Sequence, residues 1–169
     1  RNGQSAESRE VNSTPTPPVK PGGKSPSPRH RAREFVVQGL YQYLVGGQDA
    51  AAIITQAESV AGFERANREL YDALLEGVLQ EEAALQVLLE PHIARPWTEV
   101  APIERGILLI GAYELLLCPD VPMRVVINEG VELAKSFGGT DGHKYINGVL
   151  DKLAQDVRAV EIELAKKRD

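Results

Sequence analysis

The segment IERGILLIGAYELLL, residues 103–117, restricts the fold of this chain more than any other feature. It is longer than an ordinary strand of about five or six residues, and its charged pair, Glu104 and Arg105, stands at its start. Pro102 precedes it, at a position where proline suits the first turn of a helix. A segment that is apolar on nearly every side is typical of a buried helix. The sequence therefore predicts a central helix around which the rest packs.

The chain after residue 28 shows helical spacing throughout. Apolar residues recur at intervals of three and four positions, and no segment alternates with the two-residue period of a strand. Glycine, proline and capping residues separate the periodic segments. The predicted helices cover residues 29–45, 49–60, 67–90, 102–117 and 124–137, followed by a last helix with charges towards its end, capped by Thr140 or Asp141. We predict an all-α fold.

Residues 1–28 differ in composition from the remainder. They contain six of the eleven prolines, together with many Ser, Thr and Gly residues, and no aromatic residue. A segment of this kind cannot bury enough apolar surface to offset the entropy lost on ordering. We therefore predict a disordered leader over residues 1–28 and one helical domain over residues 29–165.

Charge is unevenly distributed along the chain. Residues 1–33 hold seven Lys or Arg and two Glu, so this arm carries a charge of +5. The rest of the chain carries −10, which gives the net charge of −5. Such asymmetry favours a polyanion as partner for the arm and a basic partner for the body. The single cysteine, Cys118, cannot form an intramolecular disulfide, and no stretch is long and apolar enough to span a bilayer. We expect a cytoplasmic protein.

The sequence gives little support to an enzyme or a metalloprotein. The three histidines and Cys118 have no metal-ligand spacing, and nucleophile-elbow, phosphate-loop and kinase motifs are absent from the sequence. The carboxylate pairs Glu81–Glu82 and Glu129–Glu132 are interpreted as solvated helix surface. We expect no catalytic residue, no metal and no cofactor.

Two stretches are candidate anion sites. The run RHRAR, residues 29–33, lies at the amino end of a predicted helix, where cations are disfavoured by the helix dipole unless a ligand recruits them. Arg29 and Arg33 are one turn apart and are expected to share a face suited to phosphate and base edges. The stretch SFGGTDGHK, residues 136–144, could cradle a phosphate, but a glycine stop followed by a helix cap is its more ordinary role.

Three stretches together resemble the NusB family of bacterial transcription antitermination factors: residues 29–42, residues 100–116 and, most specifically, residues 120–154. The resemblance covers residues 29–158. It implies two packed three-helix subdomains and a non-enzymatic role. Proteins of this family bind the boxA element of nascent ribosomal RNA together with NusE, a ribosomal protein of the small subunit, and join RNA polymerase and other Nus factors to suppress termination.

The resemblance also implies site residues. The RNA-facing positions are Arg29, His30, Arg31, Arg33, Asp141, Lys144 and Tyr145, and the NusE-facing positions are Tyr41 and Glu104. His30 stands where arginine is typical, which we expect to weaken the contact near neutral pH. Tyr145 replaces the commoner phenylalanine and can still stack on a base. If the two helix starts lie side by side, their amide ends and cations would face one RNA strand.

Two other interpretations remain open at this point. The domain could be a protein-interaction module whose arginines are only solvated. NusB-like domains also begin some ribosomal RNA cytosine methyltransferases, an interpretation that needs a downstream cofactor-binding domain, whereas this chain ends at Asp169 after a charged helix tail.

Overall fold

The computed structural model describes residues 26–137 and 141–168. Within these residues the fold is all-α, as predicted, with three short 3-10 turns and no strand. The helices are α1 (Pro28–Gly46), α2 (Ala50–Ser59), α3 (Arg68–Leu89), α4 (Pro102–Leu117), α5 (Met123–Phe137), α6 (Gly142–Val157) and α7 (Ala159–Lys166). The predicted leader lies outside the described residues, except for its last three.

Local capping explains where the first three helices begin. The Ser27 side chain accepts a hydrogen bond from the His30 amide at 3.1 Å. Asp49 caps α2 and Asn67 caps α3 in the same way, each with an oxygen 2.9 Å from the amide three residues on. Each cap satisfies an amide that a helix start leaves unpaired. These starts were predicted from the sequence and are confirmed.

Helix α4 is the centre of the core, and it packs against α1, α3, α5 and α6. Two of its glycines allow close contact with neighbouring helices. A Cβ on Gly106 would lie 3.5 Å from the Leu40 side chain of α1, and one on Gly111 would lie 2.6 Å from Leu150 of α6. Helices α1–α3 form one group and α4–α6 the other, so α4 joins the two halves.

The predicted last helix is broken in two at Arg158, which lies between α6 and α7 with a non-helical backbone. The side chain of Arg158 turns back onto the end of α4. Its guanidinium donates to the carbonyl oxygens of Leu115 at 2.7 Å, Glu114 at 3.0 Å and Cys118 at 2.9 Å. The Glu114 and Cys118 carbonyls also accept from the Cys118 and Val121 amides, so the guanidinium adds to the hydrogen bonds of a buried helix end and gives the Leu115 carbonyl a donor.

Glu161 of α7 completes this junction. Its carboxylate accepts from Arg158 Nη1 at 2.6 Å and from the Met123 amide at 2.9 Å. The α6–α7 junction therefore contacts both the end of α4 and the start of α5.

The start of α6 also differs in detail from the prediction. Asp141 occupies the cap position, but its side chain makes no capping hydrogen bond. Thr140, the alternative cap, lies outside the described residues.

In the part of the chain that the structure describes, no helix is long and apolar enough to cross a membrane.

Candidate nucleic-acid interface

The amino end of α1 is fixed to the first half of the molecule. The Pro28 carbonyl accepts a hydrogen bond from the Asn67 amide at 2.9 Å, so α1 and α3 begin at the same place. Arg29 is exposed there, and Arg31 is partly exposed. These are two of the four basic positions of α1 predicted to face RNA.

Arg33 does not share the exposed face of Arg29. Its guanidinium forms a two-pronged ion pair with Glu114 of α4, with Nε–Oε1 at 2.7 Å and Nη2–Oε2 at 3.0 Å. The two side chains are 3% and 2% exposed. In this structure the Arg33 guanidinium is thus buried and faces Glu114, and direct contact between Arg33 and RNA stays a prediction.

His30 is held by a carboxylate that was interpreted as solvated surface. Its Nδ1 lies 2.6 Å from Glu129 Oε2 of α5, and its Nε2 lies 3.6 Å from Glu34 Oε1. The hydrogen bond to Glu129 raises the pKa of His30 despite the opposing effect of burial. His30 is thus mainly a contact between α1 and α5, and Glu129 is a structural residue.

The pKa of Glu129 shifts in the opposite direction. Burial acts to raise it, but the hydrogen bond from His30 and the positive charges of His30 and Arg33 lower it. Its Oε2 also lies 3.7 Å from Arg33 Nη1. Glu114 and Glu129 together anchor the start of α1 on α4 and α5, which leaves Arg29 and Arg31 as its accessible cations.

The start of α6 is built differently. Asp141 and Lys144 are about three-quarters exposed and lie 3.6 Å apart. Tyr145 is half-buried, and the Arg95 guanidinium carbon lies 4.6 Å from the centre of its ring. The ring and the guanidinium form a flat cationic platform. Arg95 was missed because it lies between helices, far from any basic run.

The two helix starts are not side by side. The start of α1 contacts Glu114 in the last turn of α4, whereas Gly142 at the start of α6 lies against Glu104 in its first turn. Ten residues of α-helix separate these contacts by about 15 Å. A single ligand that touches both sites must therefore extend along α4.

Tyr41 and Glu104, the positions predicted to face NusE, lie towards the same end of α1 and α4. Tyr41 is partly exposed and follows Leu40, which packs on Gly106. Glu104 Oε1 would lie 3.2 Å from a Cβ on Gly142, and its Oε2 is buried without a hydrogen-bond partner among the described residues. Glu104 thus also borders the start of α6.

Nothing in the described residues groups three or more His, Cys, Asp or Glu side chains as a metal site would. The described side chains at the two helix starts are the cations Arg29, Arg31 and Lys144, the carboxylate Asp141 and the ring of Tyr145.

The model of the NusB family matches residues 30–155, from the basic start of α1 almost to the end of α6. The chain belongs to the NusB family. Curated relatives agree: the transcription antitermination protein NusB of Thiobacillus denitrificans is 62% identical over 141 residues, covering 83% of this chain and 97% of the relative. The protein of the same name from Ralstonia nicotianae is 52% identical over 145 residues, covering 86% and 94%.

Solved structures share the fold. T. maritima NusB aligns with a TM-score of 0.66 at 25% identity and covers 79% of this chain and 94% of that one. A crystal structure of the antitermination factors NusB and NusE in complex with double-stranded RNA also aligns with a TM-score of 0.66, at 21% identity, covering 76% and 97%. The resemblance stated from the sequence is confirmed, and transcription antitermination is the general role of this NusB-family chain.

Proposed function

We propose that this protein binds boxA-containing single-stranded RNA together with NusE and promotes processive transcription of ribosomal RNA operons. RNA polymerase and other Nus factors are its indirect partners. The observation that carries the proposal is the start of α1, where Arg29 and Arg31 stay accessible while Arg33 and His30 are paired with Glu114 and Glu129.

The arrangement suits a phosphate backbone. The contacts with Glu114 and Glu129 fix the position of α1, so its exposed arginines are oriented before the ligand arrives. Less conformational entropy is then lost on binding. The dipole of α1 adds a partial positive charge at its start that favours phosphate. The start of α6 adds a different contribution, because Tyr145 and Arg95 offer a surface on which a base can stack.

NusE is proposed as the protein partner at the other end of α1 and α4. Tyr41 and Glu104 would meet it, and the acidic body of the chain suits a basic ribosomal protein. The shared fold of the solved complex that contains NusB, NusE and RNA supports this assignment.

The test is an anisotropy titration of labelled boxA RNA, with and without NusE, between 50 and 200 mM salt. We expect binding that weakens steeply with salt. Arg31→Ala should reduce the slope of log K against log salt by about 0.7, the contribution of one phosphate contact on a single strand. Lys152→Ala, at an exposed position on α6, is the matched control. Absence of binding even with NusE present would refute the proposal.

A protein-interaction module without RNA contact predicts a different result. NusE binding would survive Arg29→Ala, and no RNA would crosslink to α1. A crosslink at α1 decides against that alternative.

A further inference from the structure

A second pair of arginines meets beside the start of α1, at the turn between α2 and α3. A Cβ placed on Gly62 would lie 3.3 Å from Arg31 Nη1 and 3.4 Å from Arg65 Nη2. The two nitrogens therefore lie within about 7 Å of each other, where their like charges repel unless an anion is near. Arg65 belongs to the 3-10 turn Phe63–Arg65, and neither the sequence motifs nor the family resemblance assigns it a role.

Gly62 supplies the third donor and the space. Its φ of 98° is in the left-handed region that favours glycine, and its amide points to the side chain of Glu64. Glu64 Oε2 accepts from this amide at 3.1 Å, and Glu64 Oε1 lies 3.9 Å from Arg65 Nε. Glu64, which is highly exposed, is thus the carboxylate that contacts Gly62 and Arg65, whereas Glu58 at the end of α2 pairs with Arg68 at 3.6 Å. Arg31 forms no ion pair with any described residue, and Glu34 of the same helix is the carboxylate that acts on it electrostatically.

We propose that Gly62, Arg31 and Arg65 form a phosphate-binding site for the RNA backbone, which Glu64 occupies in the free protein. The inference rests on the proposed RNA-binding function and extends its surface beyond α1 to the α2–α3 turn. A phosphate oxygen replaces the Glu64 carboxylate on the Gly62 amide, and the two guanidinium forks bind the remaining oxygens. Planar guanidinium groups match phosphate better than ammonium groups do.

The location makes the site continuous with the cations of α1. The Asn67 amide binds the Pro28 carbonyl at 2.9 Å, which holds the α2–α3 turn against the start of α1. The nearby Arg68 serves another purpose: it lies 5.3 Å over the Phe63 ring and pairs with Asp72 at 2.9 Å. Arg31 and Arg65 are therefore the cations of this turn that remain available to a ligand.

The experiment compares Arg65→Gln and Glu64→Gln with the wild type, using labelled boxA RNA with NusE present over the same salt range. Arg65→Gln should weaken binding about threefold and reduce the salt slope by about 0.7. Glu64→Gln keeps an oxygen for the Gly62 amide but removes the competing charge, so it should strengthen binding about twofold to fivefold at low salt. Arg65→Lys should recover only part of the affinity.

Lys152→Gln controls for the loss of one exposed positive charge elsewhere, and unchanged circular dichroism and melting temperature establish that the variants fold. The phosphate site is overturned if Arg65→Gln behaves like Lys152→Gln, or if Glu64→Gln leaves affinity unchanged. The two failures are distinguishable: wild-type protein that binds no RNA refutes the proposed function, whereas salt-sensitive wild-type binding with no effect at Arg65 and Glu64 refutes only this site.

Discussion

The starts of α1 and α6 both present charge at a helix amino end, yet they hold it in opposite ways. At α1, Arg33 and His30 are directed inward onto carboxylates of α4 and α5, which fixes the direction of the exposed arginines. At α6, Asp141 and Lys144 are exposed and, among the described residues, form an ion pair only with each other, and the fixed element is the ring of Tyr145. The comparison indicates that α1 supplies oriented charge and α6 supplies a stacking surface.

The largest expected effect concerns the buried ion pair between Arg33 of α1 and Glu114 of α4. Glu114→Ala leaves the Arg33 guanidinium unpaired in the core and should lower the free energy of unfolding by about 3–5 kcal/mol. Urea denaturation measures this. Glu132→Ala removes an exposed carboxylate that lies 3.5 Å from Lys135 on α5 and should cost less than about 1 kcal/mol. Equal losses for the two variants would show that the α1 charge is not anchored through the core.

The next effect concerns the platform of α6. Tyr145→Ala should weaken RNA binding by about 1–3 kcal/mol, the usual value of one stacked base. Tyr145→Phe should keep the affinity, because phenylalanine retains the aromatic ring on which a base stacks. Anisotropy titrations of the two variants decide: a phenylalanine variant as weak as the alanine variant would mean that the hydroxyl, not the ring, binds RNA.

A pH dependence of stability is expected at the start of α1. The pKa of His30 is raised in the folded protein by its hydrogen bond to Glu129. Its stabilising effect is therefore complete below about 6.5, the pKa of an unfolded histidine, and is lost as pH rises through the folded pKa. The difference in unfolding free energy between the wild type and Glu129→Gln should shrink from pH 6 to pH 8, as urea denaturation at each pH can show. A difference that grows with pH would contradict this assignment.

The smallest effect tests whether the two starts act independently. Arg29→Gln and Lys144→Gln should each reduce the salt slope of RNA binding by about 0.7. Because the two starts lie at opposite ends of α4, their effects on binding free energy should add to within about 0.5 kcal/mol in the double variant. A larger deviation in the anisotropy titrations would show that the two starts act as one site.

The sequence predicted the helices well because their boundaries are local. Ser27, Asp49 and Asn67 each cap an amide three residues away, a relation that is visible in the sequence. The break at Arg158 was not predictable in this way, because its guanidinium binds a carbonyl 44 residues earlier in the chain. Helical spacing on either side of the break gives no sign of it.

The candidate site was predictable in part. Arg33 was assigned to the RNA surface because it belongs to a basic run, although Val36, Val37 and Leu40 place it on the apolar stripe of α1. Glu114 is likewise a single carboxylate late in an apolar segment. Opposite charges on two buried stripes are the signal that would have predicted their pairing. The meeting of Arg31 and Arg65 at Gly62 carries no such signal, because it depends on how the α2–α3 turn folds back.

Glu114 has a consequence for the order in which the protein becomes complete during synthesis. Its side chain binds Arg33, 81 residues earlier, while its carbonyl accepts from Arg158, 44 residues later. One residue thus joins the first and last segments of the described chain. When only the first three helices have been synthesised, the basic start of α1 lacks Glu114 and Glu129, the carboxylates of α4 and α5 that orient it. The guanidinium of Arg158 reaches the end of α4 only after α6 has emerged. The surface proposed to meet RNA is therefore among the last parts of the molecule to become fixed.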